Sequence, residues 1–275
     1  MPELPEVEVV RRGLAEHLSN TTVLSCEVLH ARANRGQESP LAPQLVGRRI
    51  TGWHRRGKFL WAALDDDRAL MVHLGMSGQM IVGDPGTATS PHIRIRVHCD
   101  NGRELCFIDQ RTFGRWLLCE TDAEGTPVPA QHIALDPLDP RFNELETARK
   151  MRASKASIKS VLLNQSLISG VGNIYADESL WAAGIKPTRP AYRLRRRDIL
   201  NLISAVQEVM HRALAAGGTS FDSLYVNVNG ASGYFSRSLN AYGQTGEPCA
   251  RCGTPIRRVA FANRSTHYCP SCQTL

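Results

Sequence analysis

Ile93-Arg94-Ile95-Arg96-Val97-His98-Cys99-Asp100-Asn101-Gly102-Arg103-Glu104-Leu105-Cys106-Phe107-Ile108 is the stretch on which the fold turns. Apolar and polar residues alternate through Ile93–Val97, the period of two that gives a strand one buried and one wet face. Asp100-Asn101-Gly102 then supplies residues that tolerate left-handed backbone, a strong hairpin signal. His92–His98 and Glu104–Ile108 therefore read as paired antiparallel strands. On either side, Thr22–Val28, Lys58–Leu64, Ala69–Leu74 and Trp116–Cys119 carry the same strand character. Asp65-Asp66-Asp67 and Asp84-Pro85-Gly86 mark turns between them. So many short strands within 22–118 predict an antiparallel β-sandwich or flattened barrel. Ahead of them, residues 5–18 read as a helix. Pro5 suits its first position, and Val7, Val10, Leu14 and Leu18 form one apolar stripe.

Residues 121–140 are rich in Pro, Asp and Gly with weak periodicity, the natural place for a domain boundary. Helices are predicted beyond it: Ser157–Gln165, Ile174–Ala183 and Ile199–Ala216. The last has Asp198 as its expected N-cap and Gly217-Gly218 as its stop. Residues 219–243 are polar and Gly/Ser-rich and read as a loop. The expected organisation is α+β and multidomain. An N-terminal helix plus β-sandwich covers 2–133, a helical domain 134–243 and a cysteine-bearing ribbon 244–275.

The chain has 275 residues, 42% of them hydrophobic, which is ordinary for a globular protein and argues against disorder. No apolar run approaches a membrane span and the N-terminus is not signal-like, so a soluble, cytoplasmic protein of the cell interior is expected. The formal net charge is +7, but it is uneven. Residues 1–149 hold 17 Lys/Arg against 20 Asp/Glu, and residues 150–275 hold 16 against 6, a net of −3 and +10. From charge alone, a solubilising surface and the footprint of a polyanion fit equally.

Cys26, Cys99, Cys106 and Cys119 are scattered and read as small buried hydrophobes. Cys249-Ala-Arg-Cys252 and Cys269-Pro-Ser-Cys272 are different: two close pairs, separated by 16 residues. Four thiolates so spaced offer the closed tetrahedral shell of one structural zinc per chain. The enclosed loop, Gly253–Tyr268, presents Arg257, Arg258, Arg264 and His267, and an arginine on a rigid turn can address a phosphate.

Gln165-Ser-Leu-Ile-Ser-Gly170-Val-Gly172-Asn173-Ile-Tyr175 joins two helices, with Asn173 where an N-cap is expected. A close-packed helical hairpin and a phosphate cradle at a helix start both fit; Lys155, Lys159 and the arginine loop favour the cradle. The chain opens Met1-Pro2-Glu3-Leu4-Pro5-Glu6. Pro2 can simply start the first helix. With Met1 removed, its secondary amine can also attack an aldehyde-level carbon, with Glu3 and Glu6 moving protons nearby.

Taken together these motifs closely resemble the formamidopyrimidine-DNA glycosylase family. The resemblance runs through Pro2–Glu8, His73-Leu74-Gly75-Met76-Ser77-Gly78, Asp109-Gln-Arg111-Thr-Phe113-Gly114, Gly170–Ala176, Gly217-Gly218-Thr219, Gly233-Tyr234-Phe235 and the terminal ribbon, essentially the whole chain. It implies a helix–two-turn–helix element and a zinc finger. It implies a bifunctional enzyme that excises 8-oxoguanine and formamidopyrimidines from damaged double-stranded DNA, then cuts the strand by β,δ-elimination. By that resemblance Pro2 is the nucleophile, Glu3 the acid, Glu6 part of the same pocket and Lys58 a lysine beside the lesion phosphate. His73, His92, Asn173 and Arg264 are further DNA contacts. Met76, Arg111 and Phe113 fill the gap left by a flipped nucleotide, Arg111 facing the orphaned base. Residues 219–235 close over the extruded purine. Thr112 departs from the pattern, since many members carry a second arginine there. Leu4 points to the purine branch, where the pyrimidine branch often has Gly. A monomer that needs no nucleotide cofactor and no membrane is expected, nucleoid-associated when bound to DNA. The competing classes are a non-enzymatic DNA clamp, which leaves Pro2 and Glu3 without chemistry, and a zinc nuclease, which a closed tetracysteine site does not suit.

Overall fold

The computed structural model describes residues 2–218, Val228 and 238–274. It comprises two compact units: residues 2–132 with Gly217, Gly218 and Val228, and residues 133–216 with 238–274. The expectations for the 219–235 loop, including Gly233-Tyr234-Phe235, fall outside the described residues except at Val228.

The first unit opens with α1 (Leu4–Leu18). Val7, Val10, Leu14 and Leu18 are each at most 1% exposed and meet the strand core. Each such side chain contributes about 1.5–3 kcal/mol by leaving water. Eight strands follow: β1 (Thr21–Val28), β2 (Arg49–Arg56), β3 (Phe59–Leu64), β4 (Arg68–His73), β5 (Gly78–Gly83), β6 (Ile93–Cys99), β7 (Glu104–Asp109) and β8 (Arg115–Glu120). Their order is β5-β7-β6-β1-β2-β3-β4-β8, all antiparallel. The β1–β2 link is only Thr21↔Ile50 and Thr22↔Arg49, so β1 is the seam between two half-sheets. One core packs between them, from Val23, Ile50, Leu60 and Val72 to Ile95, Val97, Phe107 and Trp116, as a β-sandwich requires. The hairpin at Asp100-Asn101-Gly102 joins β6 to β7 as expected, with Gly102 at φ 78°.

Three elements were not anticipated. β2 places a register shift between Ile50 and Gly52, so its alternation breaks in mid-strand. β5 begins and ends in glycine and looks like turn sequence. Leu41–Leu45 forms a short helix, α2, against β1.

The second unit contains α3 (Glu144–Arg152), α4 (Ile158–Leu162), α5 (Asn173–Ala183) and α6 (Arg196–Ala215), then a hairpin of β9 (Arg257–Phe261) and β10 (Arg264–Tyr268). α3 was also missed, although Asn143 caps it by accepting Glu146 N–H at 2.9 Å. Three expectations need correction. α4 stops at Leu162 rather than Gln165, because the chain turns there into the two-turn loop. α6 begins at Arg196, and Asp198 is its third residue, reaching back to Arg195 N–H at 3.1 Å. Asn173 is the first helical residue of α5, while Gly172 occupies the cap position.

Candidate active site and nucleic-acid interface

In the first unit, Pro2, Glu3 and Glu6 are all buried at the start of α1. Glu6 Oε2 accepts the Glu3 N–H at 2.9 Å, one arm of a capping box. That bond satisfies a donor the helix start leaves open and fixes the turn on which Pro2 and Glu3 stand. Gly218, at φ 87°, lies against Glu6: a Cβ there would sit 3.3 Å from Glu6 Cγ. A side chain would therefore intrude on the carboxylate from a backbone conformation that only glycine adopts freely.

Two residues further, Glu8 gathers three arginines. Its carboxylate accepts Arg11 Nε and Nη2 at 2.9 Å each, Arg12 Nε at 2.9 Å and Arg55 Nε at 3.0 Å. Burial alone would raise its pKa, but the Arg11 hydrogen bonds and the nearby Arg55 and Arg11 charges win and hold it at about 2. Arg55 also donates to Gly57 O at 3.1 Å, and Arg11 to Trp53 O at 3.2 Å. Gly57, at φ 57°, and Lys58 form the β2–β3 turn. Glu8 thus ties the helix carrying Pro2 and Glu3 to the turn carrying Lys58, which is 8% exposed. No motif in the sequence singled out Glu8 or Arg55 for this.

His73 ends β4, its ring 4.8 Å from that of Phe59. Burial, helped by the positive charges of Arg115, Lys58 and Arg35, pushes its imidazole down to about 4. At neutral pH it is an uncharged hydrogen-bonding group, not a cation. Met76 lies on the β4–β5 turn at 38% exposure and Phe113 on the β7–β8 turn at 43%. Arg111 is exposed, its guanidinium 5.1 Å from the Phe113 ring centroid. Both turns are crossings between the half-sheets, which is why Met76 and Phe113 leave the core. His92, just ahead of β6, is half-buried; its carbonyl accepts Asp109 N–H at 2.9 Å, and its Nδ1 lies 3.2 Å from Arg94 Nη2.

In the second unit, Gln165 plugs the loop between α4 and α5. Its amide donates to Leu163 O at 3.0 Å and Val171 O at 2.9 Å and accepts Gly170 N–H at 2.9 Å. Asn173 does not cap α5; its Nδ2 donates to Ser265 O at 3.0 Å, beside the exposed Arg264. Lys159, taken from the sequence as a cation close to phosphate, is fully buried. It pairs with Asp177 Oδ1 at 2.7 Å and donates to Ser265 O at 3.1 Å. Asp177 also accepts Thr266 Oγ–H at 2.7 Å and His267 N–H at 2.8 Å. Its neighbour Glu178 accepts the N–H groups of Asn240, Ala241 and Tyr242 at 2.8–3.2 Å. Two adjacent buried acids of α5 thus anchor both the hairpin and the chain that enters the ribbon.

Cys249, Cys252, Cys269 and Cys272 converge with their sulphurs all within 4.8 Å of one another, 3.9 Å for 249–272 and 3.6 Å for 252–269. Four sulphurs around one ion at ~2.3 Å would stand ~3.8 Å apart, so the cluster is able to coordinate a metal. Hydrogen bonds from Thr254 draw Cys252 down to about 6, while bonding to Cys252 pushes Cys272 up to about 12. A cation at the centre would remove that conflict. Arg251 stacks on Trp181 at 4.0 Å and donates to the carbonyls of Trp181 and Ala182 at 2.8 Å each, capping the negative end of α5.

Among the described residues no helix is long and apolar enough to cross a membrane. Three family models match the chain: the formamidopyrimidine-DNA glycosylase N-terminal domain over residues 1–116, the formamidopyrimidine-DNA glycosylase H2TH domain over 133–224, and a zinc finger found in FPG and IleRS over 246–275. A formamidopyrimidine-DNA glycosylase of Corynebacterium urealyticum is 53% identical, with 100% of both chains covered. One of Mycolicibacterium smegmatis is 54% identical over 99% of this chain and 97% of that one. A solved complex of Lactococcus lactis Fpg with DNA containing an abasic site superposes with a TM-score of 0.88 at 34% identity, covering 99% of this chain and 100% of that chain. A complex of the same organism's Fpg with DNA containing Fapy-dG gives a TM-score of 0.88 at 34% identity, with the same coverage.

Proposed function

Because the chain belongs to the formamidopyrimidine-DNA glycosylase family, we propose that it excises 8-oxoguanine and formamidopyrimidines from duplex DNA and cleaves the resulting abasic site, with Pro2 as nucleophile. The observation that carries the residue assignment is the buried start of α1, where Pro2 stands beside Glu3 on a turn pinned by the Glu6–Glu3 bond at 2.9 Å.

Once Met1 is removed, the Pro2 nitrogen attacks C1′ of the damaged nucleoside. The C1′–N bond breaks, and its electron pair leaves with the base, which takes up a proton. Glu3 delivers a proton to O4′ as the C1′–O4′ bond opens, and the amine loses its own proton, leaving an iminium at C1′. That cation acidifies C2′–H. Loss of the C2′ proton expels the 3′ phosphate, and a second elimination expels the 5′ phosphate. Glu6 is committed to Glu3 N–H, so its part is to hold the acid in place. Lys58, tied to α1 through Arg55 and Glu8, is suited to the phosphate beside the lesion.

Reaching a base inside a duplex requires flipping it out. Met76 and Phe113, exposed on neighbouring crossings, suit the apolar wedge, and Arg111 can read the orphaned base through its fork. His73 then serves as a neutral donor to phosphate. Arg264 and the start of α5, with Asn173 holding Ser265, suit further phosphates. The four cysteines would hold one structural zinc, whose contribution is to keep the hairpin bearing Arg264 folded. The enzyme would act as a monomer on DNA in the cell interior.

Sodium borohydride in the presence of a damaged duplex should join protein and DNA covalently, and mass spectrometry of the digest should place the adduct on residue 2. An added N-terminal residue should abolish both trapping and base release. An adduct on Lys58, with base release intact in the blocked protein, refutes the assignment.

A further inference from the structure

Between the two crossings that carry Met76 and Phe113 lies a buried carboxylate to which the reaction gives no role. We propose that Asp109, acting through Ser77, is the positioning residue that sets the wedge and with it the choice of opposite base. This rests on reading Met76, Arg111 and Phe113 as the wedge.

Asp109 is the last residue of β7 and is 0% exposed. Its Oδ1 accepts Ser77 Oγ–H at 2.6 Å and its Oδ2 accepts Gly114 N–H at 2.7 Å. Ser77 Oγ in turn accepts Arg111 N–H at 3.1 Å. The path from Arg111 N–H to Ser77, to Asp109 and on to Gly114 N–H closes around residues 110–113. It also bolts that loop to the turn carrying Met76. The Asp109 backbone is held as well, its carbonyl accepting Arg94 Nε at 2.8 Å. From the other side, Arg35 donates to Gly114 O at 2.8 Å and Phe113 O at 2.9 Å.

The crossings touch backbone to backbone. A Cβ on Gly75, at φ 67°, would lie 2.5 Å from Gly114 N, and one on Gly114 would lie 2.9 Å from His73 O. Thr112, on the β7–β8 crossing, stands at φ 54°, a left-handed conformation that a β-branched residue adopts only when its surroundings impose it. A plug whose only task is stability can be apolar. A carboxylate here accepts two bonds from two different segments, which fixes their spacing and the direction in which Arg111 leaves the loop. An arginine that reads a base edge needs that direction fixed, because its selectivity depends on angle as well as reach.

The test compares Asp109→Asn and Ser77→Ala with Arg111→Ala and the parent, as full-length protein. Single-turnover release of 8-oxoguanine is measured opposite cytosine and opposite adenine, alongside cleavage of a ready-made abasic site. Melting temperature and bound metal serve as folding controls. The amide of Asp109→Asn cannot accept both bonds, and Ser77→Ala removes the middle link while leaving the carboxylate. Both variants should lower the cytosine-to-adenine ratio on the order of tenfold, the scale of one lost bidentate contact. Abasic-site cleavage should stay within about twofold, since no base is read there. If Asp109→Asn melts early, Ser77→Ala carries the comparison. An unchanged ratio in a folded Ser77→Ala, with Arg111→Ala collapsing it, overturns this proposal alone. An unchanged ratio in Arg111→Ala overturns the wedge reading. Equal losses on all three substrates would reduce Asp109 to a purely structural residue and overturn the proposal.

Discussion

Replacing Glu8 with Gln should destabilise the first unit by about 3 kcal/mol at neutral pH and by almost nothing in strong acid. The carboxylate falls from 4.5 to about 2 on folding. At ~1.36 kcal/mol per unit, that drop is worth about 3 kcal/mol of preference for the charged form. Little of it is lost to solvent, because Glu8 is 12% and Arg55 9% exposed; Arg12, at 61%, adds little. The sign follows from the depressed pKa. The folded state binds fewer protons than the unfolded, so the contribution is complete above pH 4.5 and fades as pH falls towards 2. The assay is thermal unfolding of both proteins from pH 7 down to pH 2. For a unit of this size the neutral deficit corresponds to roughly 10 °C. Hydrogen exchange should place the weakening in α1 and residues 53–58, where Arg11 and Arg55 lose their anchor. Base release should also fall well below the melting temperature, because the turn holding Lys58 depends on Arg55. Equal melting at pH 7, or a deficit that persists at pH 2, would refute the reasoning.

Purified protein should carry one zinc per chain, and Cys249→Ser should lose it together with DNA affinity; elemental analysis finding no metal in protein that still binds abasic DNA tightly would overturn this. Arg264→Ala should lower the salt dependence of DNA binding by about one unit of slope, as expected for one lost phosphate contact. His73→Gln should weaken binding without changing that slope, because a group with a pKa of about 4 releases no counterion at neutral pH. A slope reduced equally in both variants would mean that His73 is protonated on DNA.

What the sequence disclosed was whatever its local pattern encodes. The hairpin around Asp100-Asn101-Gly102 was legible because alternation and turn chemistry lie within sixteen consecutive residues. The cysteines were legible because metal ligands come in short pairs. β2 was hidden because its register shift at Ile50/Gly52 breaks the alternation that would have announced it. α3 was hidden because its apolar face is only Thr147, Ala148 and Met151, although Asn143 and its charged ends were there to be read. Pro2 and Glu3 stood out at the N-terminus, and Lys58, Met76, Arg111 and Phe113 only through the family resemblance, but what positions them did not stand out. Ser77 and Asp109 lie 32 residues apart, and Glu8 and Arg55 lie 47 apart. Such pairings exist only once β5 has paired with β7 and α1 has packed on β2. Lys159 shows the converse: charge type suggested a surface cation, yet α5 places Asp177 opposite it and the pair is enclosed.

That enclosure also favours one of the two explanations left open for the basic second half. Of the six acids in residues 150–275, Asp177, Glu178 and Asp198 are buried. Of the 16 Lys/Arg in the same stretch, only Lys159 is buried among the described residues. Among the described residues, folding therefore turns three of the five acids inward, where they hold the chain entering the ribbon, the β9–β10 hairpin and the start of α6. Nearly all of the described positive charge stays outside. A surface meant only for solubility gains nothing from such segregation, because interspersed signs dissolve as well and repel less. Exposed like charges of this density raise the energy of the free protein, and a polyanion relieves that repulsion on binding. Asp177, which fixes Thr266 and His267 beside Ser265, thus anchors the hairpin while leaving the surface around Arg264 unneutralised, so that the ribbon's anchor and the phosphate affinity proposed for it would have one origin.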